Sequence, residues 1–281
     1  MNQTFFFPRW WMMVTRHWAE NRRRYLLYLL AVAALMIIWN GFNLLMEKDL
    51  PMQYRHQLPT YFIGLFLTGC IFASTLFNPL GNKKEAIQYL SVPASQLEKF
   101  LCALLYGVLL FFILYNVLFY LVDIPFVRLS RQLSASSRVL PIYETPMRDR
   151  TGVINVFADN GMAIDGGSAI PVFMLAFFAI QSMFILGSIY FSRFAFIKTV
   201  IAVLLLVVAG ALYMMKVINP NIPNSWNLDG LIEWRRYNVE GLTEVISPAG
   251  WMTSTLAFVV KYTLPVIFWF IAYIRLKEKE V

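Results

Sequence analysis

Six runs of predominantly apolar residues alternate with polar connectors along the chain, over residues 25–46, 59–80, 100–122, 170–192, 199–218 and 252–274. Each reaches about the 18 residues with which a helix crosses a hydrocarbon core of about 30 Å. The pattern predicts an all-α polytopic membrane protein of six transmembrane helices, forming one transmembrane domain over residues 1–281. No internal repeat, low-complexity tract or separate soluble domain interrupts it.

The connectors carry their own signals. In FFFPRWWMMVTRHWAENRRR, residues 5–24, helical spacing puts Trp10, Trp11, Met13, Val14 and Trp18 on one stripe and Arg9, Arg16, His17 and Glu20 on the other side. This predicts an interfacial amphipathic helix within residues 1–24, with Trp10, Trp11 and Trp18 at headgroup level and Arg22, Arg23 and Arg24 toward anionic lipid. The connector 47–58 is short. The connector 123–169 holds GVINVFADNGMAID, where Asn160-Gly161 between β-prone residues predicts a hairpin with a type I′ turn. In the connector 219–251, the prolines of NPNIPNSW forbid continued helix, and Trp251 marks the return to the interface. Between them LDGLIEWRRYNVEGLTEVI mixes apolar and charged residues at helical spacing, which predicts a helix lying on the outer leaflet.

The connector 81–99 is the most structured. Asn82 followed by Glu85 reads as an N-cap with its reciprocal acid, starting a short helix through about Leu90. Ala86, Ile87 and Leu90 form its apolar edge, and Lys83, Lys84 and Gln88 its polar one. Pro93 disfavours helix at Val92, and Ser95 with Glu98 is a second capping box that starts the third span in a new direction. The sequence thus spells a rigid elbow between two membrane helices.

Composition confirms the class: of 281 residues 59% are hydrophobic and only 14% charged, unlike an ordinary soluble domain of this length. Charge then orients it. The side that would hold both termini carries 13 basic residues against 5 acidic ones, the whole formal excess of +8, so that side is expected in the cytosol. The basic balance therefore reflects topology and requires no nucleic acid partner. The first apolar run is a full span with no small-residue cleavage site after it, so residues 1–24 are expected to stay in the mature protein.

Chemistry is sparse. His17 and His56 are the only histidines, which leaves no HExxH motif and no base for an intramembrane serine nucleophile. Cys70 and Cys102 both fall inside spans, where they pack as small hydrophobes, and there is neither a metal-spaced cysteine pair nor a phosphate-binding glycine loop. No metal, cofactor or catalytic residue is expected in this chain. Lys261 stands about nine residues into the last span, where it either snorkels to the outer headgroups or faces a polar pathway, with Pro265 kinking the helix one turn on. Asn40, Asn43, Asn116 and Gln181 are further candidates for such a pathway.

The run FIGLFLTGCIFASTLFNPLGNKKEAIQYLSVPASQLEKF resembles the membrane subunits of bacterial ABC-2-type transporters, in the branch reading approximately LPAS-x-x-EKF after the second span. Leu90, Pro93, Ala94, Ser95, Glu98, Lys99 and Phe100 carry the match, with Ser91 and Val92 widening the spacing after Leu90. The resemblance covers residues 1–105 and is architectural beyond, where the long second outer loop departs from it. It implies a permease in the bacterial cytoplasmic membrane that pairs with an identical or different second permease and docks a cytosolic ATPase, which would bind ATP and Mg. It further implies that Lys83, Lys84, Glu85, Leu90, Pro93, Ser95, Glu98 and Lys99 form the coupling elbow, and that a lipophilic or amphipathic substrate is exported. The residues alone leave two rivals: a non-transporting membrane scaffold, and a lipid-acting enzyme that would have to use Lys261, Asp159 and Asp165.

Overall fold

In the computed structural model the described residues are 5–46, 51–134, 152–157, 163–164, 167–191, 193–213, 226–229, 233–237, 243–246, 251 and 262–279. Five helices are long and apolar enough to cross a membrane, which makes the chain multi-pass by length and composition. The elements are α1 (Phe7–Met46), α2 (Tyr54–Thr75), a 3-10 turn (Asn78–Gly81), α3 (Lys83–Leu90), α4 (Gln96–Leu104), a π-helical segment (Leu105–Leu110), α5 (Phe111–Ser134), α6 (Ala169–Tyr190), α7 (Ala195–Tyr213) and α8 (Leu264–Glu278). Two small antiparallel sheets accompany them, β1 (Ala163–Ile164) with β2 (Gly167–Ser168), and β3 (Trp226–Asp229), β4 (Glu233–Tyr237) and β5 (Thr243–Ile246) in that order.

The N-terminal segment does not form a helix separate from the first span. Phe7 to Met46 is one unbroken helix of 40 residues, about 60 Å long at 1.5 Å per residue, twice the hydrocarbon thickness. Nothing in the sequence stops it at Arg22–Arg24, because arginine is a good helix former and neither proline nor glycine lies there. The third span is likewise longer than its apolar run, with α4, the π segment and α5 following without a gap to Ser134. The extension is held because Asp123, Val127, Ser130 and Ser134 repeat at helical spacing and are all buried. The sixth predicted span is described only from Tyr262 onward, with α8 running for 15 residues; Lys261 and the Asn160-Gly161 pair lie outside the described residues.

The outer-leaflet helix expected over 228–246 is replaced by a sheet. Trp226–Asp229 pairs with Glu233–Tyr237, which pairs with Thr243–Ile246. Trp, Tyr, Thr, Val and Ile favour the pleated backbone, and Gly230 and Gly241 punctuate the sequence between strands. These biases outweigh a helical spacing of mixed residues.

Among the described residues two large clusters and a small one around Val14, Cys102 and Tyr106 make the core. One surrounds Tyr61, Tyr115, Phe119 and Phe177 between α2, α5 and α6. Tyr61 meets Phe119 edge-on, with ring centroids 4.9 Å apart at 82°. The Tyr115 hydroxyl donates to the Tyr61 carbonyl at 2.7 Å, and the Tyr61 hydroxyl donates to Asn116 Oδ1 at 2.9 Å. Such bonds between membrane helices contribute roughly 0.6 kcal/mol each on average. This end is closed by an extended strap, residues 152–157, whose Ile154 and Val156 are buried. Gln57 holds it from both sides, donating to the Gly152 carbonyl at 2.7 Å and accepting from the Ile154 N–H at 3.0 Å.

The second cluster joins Phe77, Phe100, Ile185, Ile189 and Leu276 at the opposite pole. There the start of α1, the end of α2, α3, the start of α4, the end of α6, the start of α7 and the end of α8 converge. Phe100 meets Tyr273 at 5.9 Å, and Lys279 donates to the Ile189 carbonyl at 2.6 Å. Burial, followed by nearby Arg275, lowers the Lys279 ammonium below its ordinary value. Both ends of the described chain thus lie at the pole that holds the basic excess. The α6–α7 crossing is tight here, since a Cβ on Gly187 would stand 1.9 Å from Thr199 Oγ1 and 2.9 Å from its Cβ and Cγ2. Beyond Thr199, α7 is exposed along almost its whole length.

Gly187→Ala is expected to destabilise by about 1–3 kcal/mol through overpacking against a stiff β-branched side chain. Gly210→Ala, with nothing within 4 Å of the added methyl, serves as the neutral control. Melting of both variants in detergent checks this; equal melting temperatures would contradict the crossing.

Candidate functional site at the basic pole

The elbow forms as a lever with fixed ends. The 3-10 turn Asn78–Gly81 leads through Asn82 into α3, and Ser91 ends it. Asn82 takes the extended N-cap backbone but makes no side-chain cap bond, so the first predicted capping box is not formed. Its amide instead donates to Glu85 Oε1 at 3.2 Å. The second box is complete: Glu98 N–H donates to Ser95 Oγ at 3.2 Å, and Ser95 N–H donates to Glu98 Oε2 at 2.8 Å.

Glu98 does more than cap its helix. Its carboxylate also accepts from the Phe6 N–H at 2.8 Å, from Arg9 Nε at 2.8 Å and from Arg9 Nη2 at 2.7 Å. Each oxygen therefore receives two bonds, with Arg9 forming a two-point fork across both. The Glu98 side chain is 0% exposed and that of Arg9 29%. An ionised carboxylate taken from water is tolerated only when paired and saturated with donors, and this one is. One residue thereby joins the beginning of α1 to the beginning of α4.

Burial redistributes the predicted coupling charges. Lys83, Lys84 and Glu85 are exposed on α3, and Pro93 is exposed after it. Glu98 and Lys99 are buried, Lys99 at 2% exposure, so neither is presented to a partner surface as the sequence alone had them. The reason is α4's amphipathicity, which turns Glu98, Phe100, Cys102 and Ala103 inward. Ser95 is buried with them, and nothing is described of the Leu90 side chain. Ile87, on the expected apolar edge, is 70% exposed.

The aromatic stripe of α1 also divides. Trp10 is half-buried and packs with Met13 beside Val14, Cys102 and Tyr106, whereas Trp11 and Trp18 face outward at 53% and 44% exposure. His17, expected on the polar side, lies inward: its Nε2 is 2.5 Å from the Tyr25 hydroxyl, and its ring is 4.8 Å from that of Tyr106. The inward row Trp10, Val14, His17, Asn21 and Tyr25 follows the helix repeat against α4. Arg22, Arg23 and Arg24 are exposed.

The polar pathway candidates do not gather in one place. Asn116 is engaged by Tyr61 and donates to the Phe112 carbonyl at 2.8 Å. Asn40 is buried in α1 with its Oδ1 unpartnered, and Asn43 is half-buried near the end of that helix. Gln181 is fully buried; it donates to the Gly107 carbonyl at 2.8 Å and leaves its Oε1 unpartnered. Gly107 sits inside the π segment, where a widened turn exposes a carbonyl that α-helix would have used. Close approach sets it there: a Cβ on Gly107 would lie 2.2 Å from Leu76 Cδ1. Among the described residues no group of three His, Cys, Asp or Glu side chains could hold a metal ion.

A cavity of about 240 Å³ lies beneath the elbow, between α1, the end of α2, α3 and α4. Comparison with protein-family models, curated proteins and solved structures finds no match to this chain.

Glu98→Ala is expected to destabilise by about 3–5 kcal/mol, since it strands a partly buried guanidinium and removes a cap. Arg9→Ala is expected to cost less, because Glu98 retains two backbone donors. A double-mutant cycle read by thermal melting in detergent should give a coupling above about 1 kcal/mol; additive losses would refute the fork.

Proposed function

We propose that this chain is the permease subunit of an ABC-2-like transporter in a bacterial cytoplasmic membrane, exporting a lipophilic or amphipathic substrate. ATP and Mg are bound by a separate cytosolic ATPase, and the permease works as a dimer with an identical or related chain. The basic pole lies in the cytosol, as the positive-inside rule requires, with Trp11, Trp18 and Arg22–Arg24 at the headgroup interface.

The observation that carries this reading is α3, a short helix held between a 3-10 turn and a complete capping box, with Ile87 exposed among Lys83, Lys84 and Glu85. Force passes between subunits only through a projection that does not bend. Ile87 supplies an apolar anchor, and the surrounding charges steer and register the contact more than they strengthen it. Glu98 and Lys99 act from behind, by fixing the angle of the lever. The buried Gln181 Oε1, left without a partner in the bundle core, is the polar atom that supports a path there. Asn116 favours a second reading, a membrane scaffold that docks a partner without transport, because its polar atoms are engaged in packing helices.

Ile87→Asp, on an exposed site, should leave insertion and melting unchanged while lowering ATPase co-purification and ATP-driven transport in proteoliposomes by about tenfold or more. The ATPase for this test is a protein with a Walker-A phosphate loop, to be sought in the reading frames adjacent to this one. Unchanged recovery and transport would sink the coupling reading. ATPase stimulation without substrate movement would establish the scaffold.

A further inference from the structure

Two buried polar side chains on α1 and α5 lack the partners that burial demands. Asp123 is 1% exposed and its Oδ2 has no hydrogen-bond partner; Asn40 is 2% exposed and its Oδ1 has none. The two helices pack together, and each residue belongs to its helix's buried row, Val32, Met36 and Asn40 in α1 and Phe119, Asp123 and Val127 in α5. Gly41 fixes their level, since a Cβ there would lie 3.9 Å from the Phe126 ring. Asn40 is the residue before Gly41, and Asp123 stands one turn before Phe126, the turn over which a helical side chain leans. Among the described side chains, α1 between Ala31 and Met46, the strap and α6 before Tyr190 bring no titratable group, and α2 brings Tyr54, His56 and Tyr61 to this pole. On α5 itself stand Tyr115, Tyr120, Arg128 and Arg131, and none of these groups bonds Asp123 Oδ2. An ionised carboxylate so placed would be buried without a donor, which is costly.

We propose that Asp123 and Asn40 form a proton-binding site, with the proton held on Asp123 Oδ2 and shared as a hydrogen bond with Asn40 Oδ1. Two acceptors cannot bond each other, whereas a carboxylic acid has one O–H to donate and the amide oxygen can receive it. One proton therefore satisfies both orphaned atoms and removes the charge. A metal cation would need several more oxygens than these two. Releasing the proton would place an uncompensated negative charge between α1 and α5, so the packing of the two helices is tied to protonation of this pair. The inference stands apart from transport and from any ATPase, because proton binding is a property of the purified chain.

The test is infrared difference spectroscopy of the full chain in detergent across a pH titration. The parent should show a carboxylic-acid C=O band at neutral pH that Asp123→Asn removes. That variant is isosteric and gives Asn40 a permanent N–H donor, so it should fold. Asn40→Leu should move the band to higher frequency, where an acid without a hydrogen-bond acceptor absorbs. Melting supplies a second readout: with the proton kept in the folded state and lost from the unfolded one above about pH 4, stability falls as pH rises. Asp123→Asn should lack that slope and melt above the parent at alkaline pH. An acid band missing from the parent at neutral pH, unchanged by Asp123→Asn or by Asn40→Leu, or lost on adding sodium chloride would overturn the proposal, as would parallel pH profiles of melting in the parent and Asp123→Asn.

Discussion

The arrangement of the basic pole depends on one carboxylate. Glu98 is sealed from solvent and receives four hydrogen bonds, from Ser95, from Phe6 and twice from Arg9. Two of these partners are backbone N–H groups that would otherwise lack acceptors, one at the start of each helix. The same side chain therefore satisfies two helix ends and neutralises a guanidinium. Removing Glu98 leaves buried donors from both segments without compensation, which is why the start of α1 and the start of α4 are held together.

From that joint the rest of the pole follows. With the start of α1 tied to α4, the inward row Val14, His17 and Tyr25 is brought onto Tyr106, whose hydroxyl donates to the Val14 carbonyl at 3.0 Å. The helix cannot then swing flat onto the membrane as an independent interfacial segment, and its 40 residues continue into the span. The elbow, fixed at its exit by Ser95 and Glu98, stands over the cavity that α1, α2 and α4 enclose. At the opposite pole Gln57 does comparable work, reading the backbone of the strap through both atoms of its amide.

What could be read from the sequence was local. The short helix from Lys83 to Leu90, the proline stop and the Ser95–Glu98 box are all encoded within a few residues of one another, and each lies where spacing puts it. The partner of Glu98 was not legible, because Arg9 stands 89 residues away and nothing in its own neighbourhood marks it. Burial of Lys99 was hidden for the same reason: a lysine next to a capping glutamate looks exposed until another helix covers it. The π segment leaves no compositional trace, and the close approach of Leu76, just past the end of α2, to Gly107 within it is a contact between residues far apart in the chain. The sheet of Trp226–Ile246 was misread because mixed polar and apolar spacing fits both periods, and β-branched and aromatic content decided between them.

The central claim is that Glu98 fixes the lever relative to the start of α1. Spin labels at Phe7→Cys and Gln88→Cys, both exposed positions, in a background where buried Cys70 and Cys102 are replaced by alanine, report that distance directly by pulsed electron paramagnetic resonance. A single narrow distance distribution that broadens when Glu98 is replaced by glutamine is the predicted result. A distribution of unchanged width and centre in the Glu98→Gln protein would contradict the account.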